Sequence, residues 1–173
     1  MSSGRDHDQQ TKLWRIPFGL AISIVLGLQN GIISSLAFWI GGIFLSPDLD
    51  TNSLCLKRWG IFGIIWSPYR KLIPHRSLLS HGPFIGTLLR LVYLITITYL
   101  IYNLIIHIGI TSIEISEQTI NNFLTTNQVH LYAIFLGIEG SAWLHIIQDG
   151  DPLPIELKKI RRFWKKRSKK QNE

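Results

Sequence analysis

Residues 16–45 read IPFGLAISIVLGLQNGIISSLAFWIGGIFL, an apolar run interrupted near its middle by Gln29-Asn30-Gly31. As one helix the run would measure about 45 Å, which exceeds the roughly 30 Å hydrocarbon core of a bilayer. Because Asn-Gly favours a turn, the run predicts a hairpin of two short helices, about Ile16 to Leu28 and Ile32 to Leu45. Each helix is short for a full crossing, so it would have to tilt, thin the bilayer or enter only part way.

Two further apolar segments follow in the second half of the chain. Phe84 to Ile110 carries one charge, Arg90, near its start, where a long side chain can snorkel to the interface. Val129 to Gln148 contains Glu139 and His145, and ionisable groups inside a membrane helix are costly and usually functional. With the hairpin, these segments predict an all-α integral membrane bundle of about four hydrophobic helices.

Composition agrees with a membrane protein of one domain. Of 173 residues, 46% are hydrophobic and only 17% are charged, and the mean hydropathy is +0.20. We expect a single membrane-embedded metal-binding domain over residues 1–154 and a basic cytoplasmic tail over 155–173, which supplies most of the net charge of +7. The single cysteine, Cys55, excludes an intramolecular disulfide framework and is typical of a buried small hydrophobe.

The charge distribution predicts an orientation. Asp48 to Pro83 is a polar, basic loop whose cations alternate with Trp59, Phe62, Trp66 and Tyr69, a pattern typical of a segment on anionic membrane lipid. Nucleic-acid binding would use the same residue types, but apolar segments on both sides favour lipid. The loop from Thr111 to Gln128 has Glu114 and Glu117 and no Lys or Arg, so the positive-inside rule places it outside. The Asp48 to Pro83 loop and the C-terminus are then cytoplasmic.

Polar residues at the start of the chain leave two interpretations open. The sequence SGRDHDQQTK carries His7 between Asp6 and Asp8, and no signal-peptide cleavage pattern follows it. It is either a free tail or a ligand element that folds back on the rest of the protein.

Candidate metal ligands occur at three more places. Residues 74–83 read PHRSLLSHGP, in which His75 and His81 are too far apart in register to share a helix face and would have to converge through a bend. Upstream, SPDLD supplies Asp48 and Asp50. Downstream, His145 and Asp149 stand at i and i+4, where one helix face offers two ligands to one ion.

The predicted topology places all of these groups at one membrane face, which favours a metal site over separate structural roles. Mixed imidazole and carboxylate ligands fit zinc first, then manganese or iron, and argue against calcium or magnesium. The set exceeds the needs of one zinc ion and suits one or two ions, a pair being bridged by a carboxylate. The predicted metal ligands are His7, Asp48, Asp50, His75, His81, His145 and Asp149.

In combination, several motifs resemble a family of uncharacterised membrane metal-binding proteins found widely in cyanobacteria, and the resemblance covers nearly the whole chain. These motifs are SGRDHD, SPDLD, KRWG, WSPY, HRSLLSHGP with the following GTLLR, and GIEG…WLHIIQD. More distantly, the order of these histidines and aspartates is similar to that of bacterial inner-membrane metal-dependent hydrolases. Through them the chain resembles the zinc-dependent phospholipase C and single-strand nuclease superfamily, all-helical proteins whose zinc ions hydrolyse phosphoesters.

The resemblance implies particular roles. It implies ligands at His7, Asp48, His75 or His81, His145 and Asp149, with Asp50 as a second carboxylate. In the hydrolases a Gly-x-Thr stretch lies between the histidines, whereas this chain has Ser77-Leu78-Leu79, so an identical substrate geometry is not implied. A plasma (inner) or thylakoid membrane, with the metal site on the cytoplasmic face, is the expected location.

Together these expectations predict the function of a metal-dependent hydrolase that acts on a phosphoester or a related lipid-borne bond. A metal-bound water would be the nucleophile, Asp50 or Asp8 the base, and Arg76 the partner of a substrate anion. Structural alternatives are a headgroup anchor for Arg76 and a helix cap for Ser80. The alternative function is a non-catalytic membrane protein that binds metal for structure or sensing. A third is a membrane-tethered nucleic-acid binder acting through the tail, although anionic lipid, and no specific nucleic acid, is the expected partner.

Overall fold

The computed structural model describes residues 4–110 and 116–150, and every regular element in these ranges is a helix. The all-α prediction is therefore confirmed, while the predicted basic tail at 155–173 and Glu114 lie outside the described residues. The α-helices are α1 Gly4–Leu26, α2 Leu28–Phe44, α3 Leu54–Arg58, α4 Ser67–Leu72, α5 Leu78–His81, α6 Ile85–His107, α7 Glu117–Thr126 and α8 Gln128–Gln148. Two 3-10 helices, Pro47–Asp50 and Gly60–Trp66, lie on either side of α3.

Helices α1 and α2 form the predicted hairpin, but the chain turns at Gly27 and not at Asn30-Gly31. Gly27 has φ 84° and ψ 160°, a conformation that is nearly exclusive to glycine. The Asn30 side-chain amide donates to the Leu26 carbonyl at 2.7 Å, so it satisfies a group at the end of α1 while remaining inside α2. This local bond explains why an Asn-Gly pair lies within a helix here.

The polar start of the chain is the first part of α1, which begins at Gly4. His7 and Thr11 on this helix are buried against the rest of the protein. Of the two interpretations, the free tail is therefore wrong: the segment folds back on the protein, and its role as a ligand element stays a prediction.

Close backbone contacts place α2 between α1 and α8. A Cβ added at Gly31 of α2 would lie 2.5 Å from the Gly19 carbonyl oxygen of α1. On the other side, a Cβ at Gly137 of α8 would lie 2.3 Å from the Ser34 carbonyl oxygen. Small residues that permit such approach are common at interfaces between membrane helices. Helices α1, α2 and α8 thus form the packed core set of the described protein. Within it α2 and α8 run parallel, because Asn30 bonds to His130 near their starts and Ser46 lies beside His145 near their ends, while α1 runs antiparallel to both.

The predicted loop from Asp48 to Pro83 is instead a series of short helices with a core of its own. Trp66 is fully buried, with its ring edge-on to Tyr69 and tilted against Tyr93 of α6. Trp66 and Tyr69 are therefore core residues and not surface anchors. Phe62 is exposed as predicted for an anchor. Sequence patterning missed this core because its partners, such as Leu49 and Tyr93, lie far away in the sequence.

Three described segments are long and apolar enough to cross a membrane: Leu28–Asp50, Ile85–His107 and Gln128–Gln148. Helix α1 is not among them, so a bundle of four membrane helices is not confirmed. Helix α6 buries few side chains and exposes apolar residues on several faces, including Leu88, Leu100 and Ile101.

Arg90 does not snorkel to an interface as predicted. Its side chain is 1% exposed and donates to the Ser80 carbonyl at 2.7 Å and to Thr87 Oγ1 at 3.0 Å. The guanidinium therefore ties the start of α6 to α5, because an enclosed cation needs acceptors that replace water.

The predicted outer loop from Thr111 to Gln128 also contains a helix, α7. The Ser116 hydroxyl accepts the Thr119 backbone N–H at 3.2 Å and caps its first turn. Glu117 lies in that turn, where a carboxylate stabilises the helix dipole.

Candidate metal centre

Four of the six histidines of the chain meet where the start of α1, the first 3-10 helix, the segment 75–81 and the end of α8 come together. All seven predicted ligands lie in this cluster. The two other histidines lie elsewhere: His130 bonds to Asn30, and His107 is exposed at the end of α6. The structure thus separates four clustered imidazoles from two that can serve as controls.

His7, His145 and Asp149 form the first ligand group, with one ligand atom from each within 4.8 Å of the others. The rings of His7 and His145 stack with centroids 3.9 Å apart. Asp149 Oδ1 lies 3.4 Å from His7 Nε2, and its Oδ2 lies 3.9 Å from His145 Nε2. Asp149 is the C-cap of α8, so the predicted i, i+4 pair does offer both side chains to one point.

Asp48, His75 and His81 form the second ligand group, also within 4.8 Å. The two rings meet edge to face with centroids 5.3 Å apart, so they converge through a bend as predicted. That bend includes Arg76, whose φ of 59° is uncommon for a side-chain-bearing residue.

Asp48 joins the two groups. Its Oδ1 lies 3.4 Å from His145 Nε2 in the first group and 3.8 Å from His81 Nε2 in the second. The local sequence explains its position, because the Ser46 hydroxyl accepts the Asp48 N–H at 3.4 Å and Pro47 begins the 3-10 helix. This carboxylate therefore lies between the two groups and would bridge two ions if each group held one.

Asp50 lies behind the second group and outside both sets. Its Oδ1 accepts from His75 Nδ1 at 2.9 Å, and its Oδ2 lies 3.6 Å from His81 Nδ1. A carboxylate on Nδ1 orients an imidazole and raises its basicity toward a metal at Nε2. Asp50 is thus a partner of the two ligands His75 and His81. The sequence had predicted it as a ligand and gave no such pairing.

Gln148 and Ser46, which sequence reasoning missed, and Ser80 also engage Nδ1 atoms of the clustered rings. His7 Nδ1 donates to Gln148 Oε1 at 2.6 Å, and His145 Nδ1 lies 3.3 Å from Ser46 Oγ. Ser80 Oγ lies 3.0 Å from His81 Nδ1 and donates to the Pro74 carbonyl at 3.2 Å. Every clustered imidazole therefore has Nδ1 engaged, which leaves Nε2 for an ion. Ser and Gln are too common in sequences to indicate this role without the fold.

The structural alternative for Ser80, a helix cap, is wrong, because Ser80 does not cap α5. The Ser77 hydroxyl accepts the Ser80 backbone N–H and is the cap. Ser80 itself is fully enclosed beside His81.

The cluster passes a test of fit to a metal ion. Within residues 4–110 and 116–150, the buried Nε2 atoms of His81 and His145 have no hydrogen-bond partner. Leaving a buried polar atom unsatisfied costs about 1–3 kcal/mol, so such atoms in a folded protein call for an explanation. A transition-metal ion would satisfy both nitrogens, and imidazole with carboxylate is the donor set that zinc, manganese and iron accept.

Electrostatics at the rim of the cluster favour the metal-binding form of His7. Burial lowers the pKa of His7 below its usual value, and the adjacent His145 lowers it further. His7 is therefore neutral near pH 7, the form that binds metal.

Two ion pairs lie beside the cluster. Asp8 pairs with Arg58, and Arg76 Nη2 lies 3.3 Å from Asp149 Oδ2.

Access to the cluster is uneven. His7, His81 and His145 are buried, whereas the side chain of His75 is 41% exposed. A small cavity of about 20 Å³ borders His7, Asp48 and His145. The second ligand group is thus open to solvent through His75.

Comparison with known proteins is consistent with this cluster. Residues 2–159 match the family described as "Uncharacterized metal-binding protein (DUF2227)". An uncharacterized protein of Aquifex aeolicus (strain VF5) is 35% identical over 82 residues, which is 47% of this chain and 46% of that protein. The chain thus aligns with less than half the length of this relative. No solved structure matches the chain. The expected hydrolase resemblance stays a prediction.

Proposed function

Because this chain belongs to the DUF2227 family of uncharacterized metal-binding proteins, we propose that it is a membrane-bound, metal-dependent hydrolase of a phosphoester or a related lipid-borne bond. One observation carries the proposal: two ligand groups of two imidazoles and one carboxylate adjoin at Asp48. Paired ions bridged in this way suit displacement at phosphorus, since both the attacking and the leaving oxygen are stabilised.

The number of ligands in each group favours catalysis. Structural zinc sites are closed by four protein ligands, whereas catalytic zinc has three and keeps a position open. His7, His145 and Asp149 supply three ligands to the first group, and a bridging Asp48 would close it with a fourth. Asp48, His75 and His81 supply three to the second group, so the open position belongs there. We therefore propose one or two divalent transition-metal ions, zinc first, with manganese or iron as alternatives.

The residues around the ions have distinct tasks in this proposal. A bound ion supplies Lewis acidity, which lowers the pKa of water toward neutral and polarises a phosphoryl oxygen. Hydrolysis adds water across the P–O bond, so its oxygen joins phosphorus and its proton passes to the leaving oxygen. The predicted base, Asp50, has a fully buried side chain that faces Nδ1 of His75 and of His81, so its task in this proposal is to orient those two rings. Arg76, at the rim beside Asp149, would bind the substrate anion.

Membrane association is part of the proposal, and exposed side chains support it. Helix α6 exposes apolar residues along its length, a surface that lipid would cover. Lys57, Arg70 and Lys71 are exposed on α3 and α4, close in the fold to the 3-10 helix that carries Asp48. Cations there would bind anionic lipid, the proposed partner, at the cytoplasmic face of a plasma (inner) or thylakoid membrane.

A second candidate is a metal that acts only in structure or sensing. Burial of His7, His81 and His145 favours it, because the ligands come from remote segments that an ion would hold together. This candidate shares the ligands but predicts no turnover.

Elemental analysis of detergent-purified protein tests both candidates. We expect about two ions per chain in the wild type, and a loss of at least half of the metal in His145→Ala and in His75→Ala. His107→Ala is the matched control and should keep its metal, because that imidazole is outside the cluster. Unchanged metal content in both cluster variants would contradict both candidates.

Turnover then separates the candidates. The wild type, loaded with zinc or manganese, is assayed on a water-soluble phosphodiester and on phosphatidic acid in mixed micelles. Release of product that falls at least tenfold in His75→Ala supports the hydrolase. Full metal content without turnover of either substrate would leave the structural candidate.

A further inference from the structure

We propose that a groove between α1 and α8 holds an acyl chain of a phospholipid whose phosphate end lies at the metal centre. The inference deepens the proposed hydrolase function and rests on it for the phosphate end alone. It assigns the apolar part of the ligand to residues outside the metal cluster.

The groove has the size and lining of a ligand site. Its volume is about 770 Å³, within the range of about 300–1,000 Å³ that is usual for small-molecule sites. Aromatic and aliphatic side chains form nearly all of its wall, among them Trp14, Phe18, Phe84, Leu136 and Trp143. A wall of this kind recognises a hydrocarbon. Its polar lining residues are Gln10, Gln148 and Glu139, and Glu139 is bonded within the protein to the Phe84 N–H and the Trp143 indole.

One end of the groove reaches the metal centre. Gln148, which lines the groove, accepts a hydrogen bond from His7 Nδ1 at 2.6 Å. Gln10, the next polar lining residue, lies three positions after His7 on α1. The polar ends of both walls therefore adjoin the first ligand group.

The other end of the groove is apolar. The lining continues along α1 to Ala21 and back along α8 to Leu136. From Gln10 to Ala21 this path is about 16 Å at the rise of an α-helix. A polar end at the ligands and a long apolar remainder match the shape of an amphiphile with an anionic head and a hydrocarbon chain.

Packing and hydrogen bonds fix the positions of side chains that line the groove. A Cβ at Gly140 would lie 2.5 Å from the Phe18 ring, so glycine at this position leaves room for that ring. The buried carboxylate of Glu139 accepts the Phe84 backbone N–H at 2.8 Å and the Trp143 indole N–H at 2.6 Å. These bonds hold two aromatic side chains at the rim, so the groove belongs to the folded architecture.

A phospholipid is favoured over other apolar ligands because of what surrounds the groove. One wall is α8, a helix that is long and apolar enough to cross a membrane, so lipid would have direct access. Arg76 and, when bound, the metal ions would supply the cationic partners that a phosphate needs at the groove's polar end.

Photo-crosslinking tests the assignment in the full-length protein in bilayer nanodiscs. The probe is phosphatidic acid with a diazirine near the end of one acyl chain, present at low mole fraction. We expect labelling of peptides from α1 and α8 to saturate and to fall when unlabelled phosphatidic acid is added. Labelling of α6, which general bilayer lipid surrounds, should rise in proportion to the probe.

Two substitutions sharpen the test. Ala21→Phe places a ring in the groove and should reduce the saturable labelling severalfold while α6 labelling stays constant. Ile24→Phe is the matched control, because Ile24 is 87% exposed on the same helix and does not line the groove. Labelling of α1 and α8 that is absent, never saturates or is insensitive to Ala21→Phe would overturn the proposal.

Failure of the groove and failure of the hydrolase are distinguishable. Saturable labelling without phosphoester turnover would support the groove as a lipid site and contradict the hydrolase function. Turnover of a water-soluble phosphodiester without saturable labelling would support the hydrolase function and contradict the proposed lipid groove.

Discussion

At the scale of single residues, the four clustered imidazoles show how ordinary polar side chains define a site. Gln148, Ser46, Ser80 and Asp50 each engage an Nδ1 atom, and this directs Nε2 toward Asp48 and Asp149. Partners of this kind orient ligands, and their loss usually costs about 10–100-fold in metal affinity.

Gln148→Ala is therefore expected to weaken metal binding by about 10–100-fold without removing a ligand. Competition against a chromophoric chelator measures the change. Gln148→Glu keeps an acceptor for His7 Nδ1 and should recover most of the affinity. Equal losses in the two variants would contradict an orienting role for this side chain.

Cys55 gives a second prediction at this scale. Its side chain is 4% exposed in the core, and burial raises the pKa of the thiol to about 12. The thiol is then protonated and enclosed at pH 8, so we expect no alkylation by iodoacetamide in the folded protein and full alkylation after unfolding. Mass spectrometry of the intact chain reports both states, and rapid labelling of the native protein would show that the thiol is accessible.

At the scale of helices, the hairpin depends on one backbone conformation. Gly27 has φ 84°, and a Cβ added there meets no atom within 4 Å, so a substitution would change only backbone strain. The core helices α1, α2 and α8 also approach closely where glycine faces a carbonyl oxygen, as at Gly31 and Gly137.

Gly27→Ala should thus lower the free energy of unfolding by about 1–3 kcal/mol, the usual cost of holding a non-glycine residue in this region of φ and ψ. Unfolding of the detergent-solubilised protein by denaturant measures it. Gly63→Ala is the control, because the nearest atom to its Cβ lies at an acceptable 3.4 Å. Similar losses in both variants would argue against a backbone origin.

At the scale of the whole molecule, the ligand cluster joins segments that are remote in sequence. His7 comes from α1, Asp48 from the first 3-10 helix, His81 from α5 and His145 from α8. An ion bound there would cross-link the two ends of the described fold and stabilise it in proportion to its occupancy.

Removal of metal by a chelator should consequently lower the melting temperature. An ion at 100 times its dissociation constant contributes about 2.7 kcal/mol, so a shift of several degrees is expected. Scanning calorimetry in detergent detects it, and readdition of zinc should restore the original value. His145→Ala, with one ligand group lost, should respond less than the wild type, and an equal response would place the stabilising ion elsewhere.

Local patterns in the chain predicted much of this architecture. The apolar runs predicted α2, α6 and α8 because continuous hydrophobicity of helical length has few other solutions. The same patterns missed the core around Trp66 and the enclosure of Arg90, since aromatic and basic residues occur both at membrane interfaces and in cores. Which of the two they adopt depends on partners such as Tyr93 and Ser80, and no local period encodes those partners.

The sequence by itself determined the helical class and the types of ligand at the site, because continuous hydrophobicity and residue type are properties of short segments. Only the tertiary structure decided that His7 stacks on His145, that Asp48 lies between two ligand groups and that Asp50 stands behind the histidines. These relations depend on contacts between α1, the 48–83 segment and α8. Long-range packing of that kind sets distances that residue spacing along the chain leaves open.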